Sequence, residues 1–357
     1  MIAVVRMNLD IEPSLASRSL RLARAAESLA LLTKRYEKLV IVGHRGRPEG
    51  RDASLSLAPI AAALSRRAKV KIDFLADLPL RRVRRRIDAA PAPYIAMLEN
   101  IRFERGEEKN DRAFGKLLAS LGDLFVNDDF ATAHRKVAST VAITKFLPCA
   151  YGPTLAREVA SLRRVLESSF RPFVAVVGGA KMSDKIGVIR NLLPHADTIL
   201  TGGGAANVLL KARGVEIGSS IFEPDMLPIA RRLARYEKIA TPLDWITKKG
   251  AILDIGPKTI RAYREALREA RSIVWVGPLG VVEDARYARG SSAVARAIAR
   301  SEAFSIAGGG ETTTFILRLR LGDSFDLLST GGGALLDFLS GKKLPALVAL
   351  DRRGALL

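Results

Sequence analysis

The 357-residue chain is 48% hydrophobic and 26% charged, the composition of a globular protein long enough for two full cores, and no stretch approaches the ~20 apolar residues that a membrane-spanning helix needs. A single cysteine, Cys149, excludes an intramolecular disulfide and a cysteine-rich metal cluster, and is expected as a small core residue. Lysine and arginine (57) outnumber aspartate and glutamate (37), and the resulting +20 admits nucleic acid, an acidic membrane surface or a small polyanionic ligand as partner.

From the N-terminus, β-type runs at Ile2 to Arg6, Leu39 to Gly43, Val70 to Phe74, Tyr94 to Leu98 and Leu124 to Asn127 alternate with helical patterns such as Leu20 to Leu32, Leu57 to Leu64 and Phe114 to Leu121. Such alternation predicts a parallel sheet with helices on both faces. The run Arg81-Arg82-Val83-Arg84-Arg85-Arg86 lacks interleaved aromatics, so a solvated helix face outweighs a nucleic-acid site there. After Tyr151-Gly152-Pro153, the spacing of Leu155, Val159, Leu162 and Leu166 predicts one long helix over Thr154 to Glu167, placed as a hinge. The pattern then restarts, with strands at Phe173 to Val177, Thr198 to Thr201, Ile273 to Val276 and Phe304 to Ala307. A last strand-like run, Leu347 to Leu350, follows Pro345 and belongs to neither half by pattern.

The expected fold class is therefore α/β, with two doubly wound, Rossmann-like parallel-sheet domains, 1–153 and 154–340, joined by the hinge helix. A charge at Arg6 interrupts the apolar start, so a cytoplasmic location is expected. The absence of glutamine and the abundance of arginine fit a thermophilic source.

Ligands of open α/β sheets bind beyond the carboxyl ends of the strands. In the second half these ends are glycine-rich: Gly178-Gly179, Gly202-Gly203-Gly204, Gly277-Pro278-Leu279-Gly280, Gly308-Gly309-Gly310 and Gly331-Gly332-Gly333. Five such turns predict a nucleotide pocket lined by backbone N–H groups. Gly178 to Lys185 is the most pointed of them, because a glycine turn is expected to feed a helix start with Lys181 and Lys185 four apart, where an anion would lie. The competing reading is a Gly-Gly turn with two solvated lysines. The first half instead ends its strands in basic groups, namely Arg6, His44-Arg45-Gly46-Arg47-Pro48, Asn100-Ile101-Arg102-Phe103 and His134-Arg135. These predict a small anionic substrate held by arginine forks.

With these motifs the chain resembles the phosphoglycerate kinase family over roughly Arg6 to Leu350. The resemblance rests on His44-x-Gly46-Arg47-Pro48, Leu98-Glu99-Asn100-Ile101-Arg102-Phe103, Gly106-Glu107-Glu108-Lys109-Asn110, Val126-Asn127-Asp128, Thr132-Ala133-His134-Arg135, Gly178-Gly179-Ala180-Lys181-x-x-Asp184-Lys185-Ile186, Asp254-Ile255-Gly256-Pro257, Gly277-Pro278-x-Gly280-Val281 and Ser329-Thr330-Gly331-Gly332-Gly333-Ala334. It implies phosphoryl transfer between MgATP and 3-phosphoglycerate, or from 1,3-bisphosphoglycerate to ADP, with Mg2+ as the metal. Asn8, Asp10, His44, Arg47, Arg102 and Arg135 would face the acid. Arg21 would steady its carboxylate and the transferring group, with Arg18 as the alternative alignment. Lys181 would follow the phosphoryl group, and Gly332 and Gly333 would offer it backbone N–H donors. Lys185 would pair with the nucleotide phosphates beside Gly179, Ala180 and Pro278. Adenine would lie by Gly203, Gly204 and Leu253, the ribose on Glu283, and the phosphates near Gly309, Gly310 and Thr312, with Glu311 on the metal. The resemblance also returns the segment 341–357 to the first domain, requires closure about the hinge, and implies a monomer without nucleic-acid or membrane partners.

Four motifs depart from the family pattern. Arg6-Met7-Asn8-Leu9-Asp10 exchanges acid and amide in an opening that usually reads Arg-x-Asp-x-Asn, Arg18-Ser19-Leu20 stands for Asp-Asp-Thr, Val276 for asparagine, and Glu311 for the aspartate on magnesium. The segment Asp244 to Gly250 also replaces a longer family loop. A diverged paralogue, acting on another small phosphorylated acid or catalytically silent, is the second reading. A nucleic-acid-binding protein, resting on charge alone, is the third.

Overall fold

Ile2–Met7 is buried at every position, as a strand covered on both faces must be, and forms β1 inside the first sheet. The computed structural model describes residues 1–76, 80–167 and 170–355, which divide into two units, Met1–Ala160 with Lys343–Leu357, and Ser161–Lys342. In the first unit, β1 is joined by β2 (Lys38–Val42), β3 (Asp73–Leu75), β4 (Tyr94–Leu98), β5 (Leu124–Asp128) and β6 (Cys149–Tyr151). All pairings are parallel, in the order β3-β4-β2-β1-β5-β6, so the chain winds outward in opposite directions from β1. The core under this sheet comes from alternate strand residues such as Val5, Met7, Leu39 and Ile41 packed on Leu22, Leu29, Ile60 and Leu64 of the helices Leu20–Leu32 and Ala58–Ala68.

The second unit contains β7 (Phe173–Val177), β8 (Thr198–Thr201), β9 (Ile239–Ala240), β10 (Trp245–Lys248), β11 (Ala251–Ile255), β12 (Ser272–Val276), β13 (Phe304–Gly308) and β14 (Leu327–Leu328). Six of them form a parallel sheet in the order β14-β13-β12-β7-β8-β9, while β10 and β11 make a separate antiparallel hairpin turned by Lys249 and Gly250, both at positive φ. The α/β class with two doubly wound parallel sheets is thus the observed one. The helix Pro153–Glu167 divides its residues between the two units.

Three local expectations are corrected. Leu347 to Leu350 is not a strand: Pro345 opens the helix Pro345–Asp351, whose Ala346, Leu347 and Leu350 are buried at helical spacing. The Ala346 N–H donates to the Ala133 carbonyl and the Tyr151 hydroxyl to Asp351, which ties this helix to the first unit. Leu356 and Leu357, the end of the segment 341–357, lie outside the described residues. The strand expected at Val70 to Phe74 starts only at Asp73, because Lys69 ends the preceding helix at φ 55° and the Val70 N–H is drawn back to Ser65 O. Cys149 is half-buried rather than in the core, since β6 is an edge strand.

Candidate active site

The C-terminal ends of β1, β2, β4 and β5 point to one edge of the first sheet, and the loops that follow bring the predicted acid-binding residues together. His44, after β2, is 3% exposed. Its Nδ1 lies 2.7 Å from Nη2 of Arg6 and its Nε2 4.0 Å from Oδ2 of Asp10. Burial and the charges of Arg6, Arg102, Arg135 and Arg21 hold the His44 pKa well below 6.5, so the ring is neutral at pH 7. Four guanidinium groups around one neutral imidazole form a site of strong positive potential, suited to an anion.

Arg102 and Arg21 are placed by different devices. Arg102 is buried in the short helical turn after β4, donating from Nη1 to Gly46 O at 2.5 Å and pairing through Nε with Glu108 at 2.6 Å. Asn100 holds that turn, its Oδ1 accepting the Arg102 N–H and its Nδ2 donating to the Arg45 and Leu55 carbonyls. Arg21 opens the helix Leu20–Leu32 and donates from Nη1 to the Asp10 carbonyl, 4.0 Å from Oδ2 of the same residue. Arg18, the alternative, is exposed at the end of the preceding turn. Arg135 is half-buried, and Arg47 is exposed on the rim. Asp10 itself accepts the Gly46 N–H at 2.9 Å. Asn8 is buried, and neither its Oδ1 nor its Nδ2 has a hydrogen-bond partner among the described residues.

In the second unit the chain reverses direction between β7 and β12, and there the loops Gly178-Gly179 and Gly277-Pro278 touch backbone to backbone. The Gly179 N–H donates to Pro278 O at 2.7 Å, and a Cβ on Gly178 would stand 2.1 Å from that oxygen. Gly204 is fixed likewise, because its Cβ would meet Ala180 O at 1.8 Å. Loop packing therefore explains several of the glycines that the sequence suggested for a nucleotide, with Gly203 at φ +59° among them. Gly310 and Gly332 differ: a Cβ on either would meet nothing within 4 Å. The glycine pair does not feed a helix directly either, since the helix begins only at Ile186, with Lys185 as its N-cap.

Lys181 and Ala180 are exposed in the intervening loop, while Lys185 is half-buried above Gly179. Burial lowers the Lys185 pKa, partly offset by Asp184 and Glu311. A cavity of about 320 Å³ brings Glu283, Gly310 and Glu311 together with Val282, Thr314 and Phe315. The last three escaped the sequence reading, although Thr314 and Phe315 share the helix Gly310–Arg318 with Glu311. Gly309, at φ +97°, caps that helix. Thr312 and Pro278 are buried outside the cavity wall, Thr312 accepting the Gly277 N–H at 2.9 Å. Leu253 accepts the Val281 N–H, two residues before Glu283. Gly332 caps the helix Gly333–Leu339 at φ +51°, and Gly333 is exposed. Among the described residues no group of three acidic, histidine or cysteine side chains is arranged to hold a metal ion by itself, and no helix is long and apolar enough to cross a membrane.

Comparison with known proteins decides the family. The family model for phosphoglycerate kinase matches residues 4–342. The chain belongs to the phosphoglycerate kinase family. It is 38% identical to a phosphoglycerate kinase of Pelotomaculum thermopropionicum over 371 residues, covering 97% of this chain and 94% of that one. A phosphoglycerate kinase of Thermomicrobium roseum is 39% identical over 374 residues, covering 97% and 95%. The solved phosphoglycerate kinase of Coxiella burnetii superposes with a TM-score of 0.87 at 34% identity, over 99% of this chain and 96% of that one. That of Pyrococcus horikoshii OT3 gives 0.85 at 31% identity, over the same shares. The chain is accordingly an enzyme, a phosphotransferase of the phosphoglycerate kinase type, and nothing in these comparisons favours a diverged paralogue.

Proposed function

We propose that the first unit holds 3-phosphoglycerate, the second holds MgATP, and the γ-phosphoryl group passes to the acid's carboxylate: the bond from phosphorus to the ADP oxygen breaks as the bond to the carboxylate oxygen forms. The reverse reaction takes 1,3-bisphosphoglycerate and ADP. The observation that carries this reading is the cluster of Arg6, Arg21, Arg102 and Arg135 around a neutral His44. A carboxylate is already a nucleophile and needs no general base, which suits a site whose histidine stays neutral and takes up no second proton at pH 7. Positioning and charge neutralisation are then the whole of catalysis.

In this reading Arg102, Arg135 and His44 bind the acid, with Arg47 at the rim, and Arg21 steadies the reacting end. Lys181, exposed on its loop, accompanies the phosphoryl group, and the Gly332 and Gly333 N–H groups stabilise its oxygens. Lys185 neutralises nucleotide phosphates beside Gly179, Ala180, Gly309 and Gly310. The 320 Å³ cavity takes part of the nucleotide, with Glu283 on the ribose. Magnesium would enter with the nucleotide as MgATP, where Glu311 would offer it a carboxylate oxygen and the ion would offset phosphate charge. Transfer requires the two ligands to meet, so closure about the helix Pro153–Glu167 belongs to the same proposal. So does a cytoplasmic monomer from a thermophilic source, its +20 opposing self-association.

Titration calorimetry with each ligand alone tests this division. Arg102→Ala is expected to lose 3-phosphoglycerate binding and keep MgADP, and Glu311→Ala to weaken MgADP and keep 3-phosphoglycerate. Either variant losing the wrong ligand would overturn the assignment.

A further inference from the structure

We propose that Arg6 is a positioning residue that fixes the tautomer of His44, keeping its proton on Nε2 and its Nδ1 bare. The part of this inference that concerns substrate rests on the reading that His44 faces the acid. Arg6 is 1% exposed, and each of its three guanidinium nitrogens has a partner. Nε donates to Ser139 Oγ at 3.0 Å, Nη1 donates to the Met7 carbonyl at 2.5 Å and forms an ion pair with Asp129 Oδ2 at 3.0 Å, and Nη2 lies 2.7 Å from His44 Nδ1. A guanidinium has donors only and does not lose its proton. The nitrogen facing it must therefore accept, which makes Nδ1 the bare nitrogen and leaves the proton on Nε2.

That choice has a chemical consequence. An Nε2–H directs a donor into the arginine cluster, whereas the other tautomer would present a lone pair to an incoming anion. The imidazolium is disfavoured too, because a proton on Nδ1 would collide with the Nη2–H of Arg6. The groups facing the ring are Arg6, Arg21, Arg102 and Arg135 on the positive side and Asp10 on the negative, so protonation would add a fifth cation where Asp129 and Glu108 are already paired with Arg6 and Arg102.

A second layer holds Arg6 itself. The Ser139 hydroxyl donates to Glu107 Oε1 at 2.5 Å and the Ser139 N–H to Oε2 at 2.9 Å, so the hydroxyl's proton is committed and its lone pair is turned to Arg6 Nε. Glu107 and Ser139 are both 1% exposed, and Asp129, fully buried, balances the Arg6 charge. Orientation thus passes from Glu107 through Ser139 and Arg6 to the imidazole.

Long-range proton–nitrogen NMR on the uniformly 15N-labelled, ligand-free protein tests this directly, since the chain has only three histidines and His44→Gln identifies the relevant signals. The expected spectrum shows a bare Nδ1 and a protonated Nε2 for His44, unchanged between pH 5 and 8. A proton on Nδ1, or titration near the ordinary value of 6.5, would overturn the proposal. Arg6→Met is paired with Asp129→Asn so that no buried carboxylate is left alone. In that variant His44 is expected to lose its single tautomer, with the proton shared between Nδ1 and Nε2, and the KM for 3-phosphoglycerate to rise about tenfold with kcat within about twofold. Ser139→Ala is expected to change the same readouts in the same direction, but less. An unchanged His44 spectrum in Arg6→Met/Asp129→Asn would contradict the positioning role even if KM rose. If instead the wild-type spectrum is as expected but His44→Gln leaves KM unaltered, the tautomer stands and the placement of the acid at His44 fails.

Discussion

Oδ1 of Asp10 accepts the backbone N–H of Gly46 at 2.9 Å, joining the loop after β1 to the loop after β2. The other carboxylate oxygen lies 4.0 Å from both Arg21 and His44, so a resident negative charge stands inside a cluster built to attract one. Asn8, two residues earlier, is buried without a hydrogen-bond partner among the described residues, and cannot take over the role of the displaced acid by charge.

Asp10→Asn is accordingly expected to lower the KM for 3-phosphoglycerate about tenfold with little change in kcat, because the amide oxygen keeps the Gly46 contact while repulsion of the substrate is removed. Steady-state kinetics with the acid varied at saturating MgATP measure this. A higher KM in Asp10→Asn would show that Asp10 helps the substrate instead of opposing it.

The two kinds of glycine in the second unit separate by stability. Gly204→Ala drives a Cβ to 1.8 Å from Ala180 O and is expected to cost about 1–3 kcal/mol of unfolding free energy. Gly310→Ala meets nothing within 4 Å and is expected to stay within about 0.5 kcal/mol of wild type while weakening MgADP, since it narrows the cavity wall. Denaturant unfolding and calorimetry on the two variants distinguish these effects, and equal destabilisation would refute the distinction.

Asp128 gives a pH dependence of known sign. Its carboxylate accepts the Thr154 N–H at 2.6 Å at the start of the helix Pro153–Glu167, and burial pushes its pKa from 3.8 up to about 7. Because the folded value lies above the ordinary one, protonation of Asp128 favours the folded state, fully below about pH 4, and this contribution is lost as pH rises through 7. The slope is at most about 1.4 kcal/mol per pH unit. Asp128→Asn removes that slope, so its melting temperature relative to wild type is expected to climb from pH 5 to pH 8. Parallel curves would contradict the raised pKa.

Much of this architecture was legible from period and punctuation. Leu20 to Leu32 and Tyr94 to Leu98 fall where the patterns place them, because apolar spacing of 3.6 and continuous burial are strong, local signals. The edge strands β6, β9 and β14 are two or three residues long, too short to carry a period. Leu347 to Leu350 misled because four apolar residues fit a strand or a buried helix equally, and Pro345, the helix opener, decides between them. In the candidate site, His44 and Arg102 were visible as basic residues beyond strand ends, whereas Arg21 came with the family resemblance alone. The Ser139 and Glu107 support for Arg6 was not, since it joins residues 133 and 32 positions apart through contacts that only the folded chain creates. The glycines carried a true but mixed signal: Gly310 faces open space, whereas Gly178 and Gly204 exist because one loop passes against another.

One assay bears most directly on the proposed transfer between units: coupled turnover of ATP dependent on 3-phosphoglycerate, with wild type and Lys181→Ala measured side by side. Lys181 is exposed on its loop, so its removal should leave the fold intact. Wild type is expected to turn over, and Lys181→Ala to lose about 10³-fold in kcat while MgADP affinity changes little, the pattern of an interaction made only in the transition state. A wild-type enzyme that binds MgADP but shows no turnover with 3-phosphoglycerate, or a Lys181→Ala variant as fast as wild type, would contradict it.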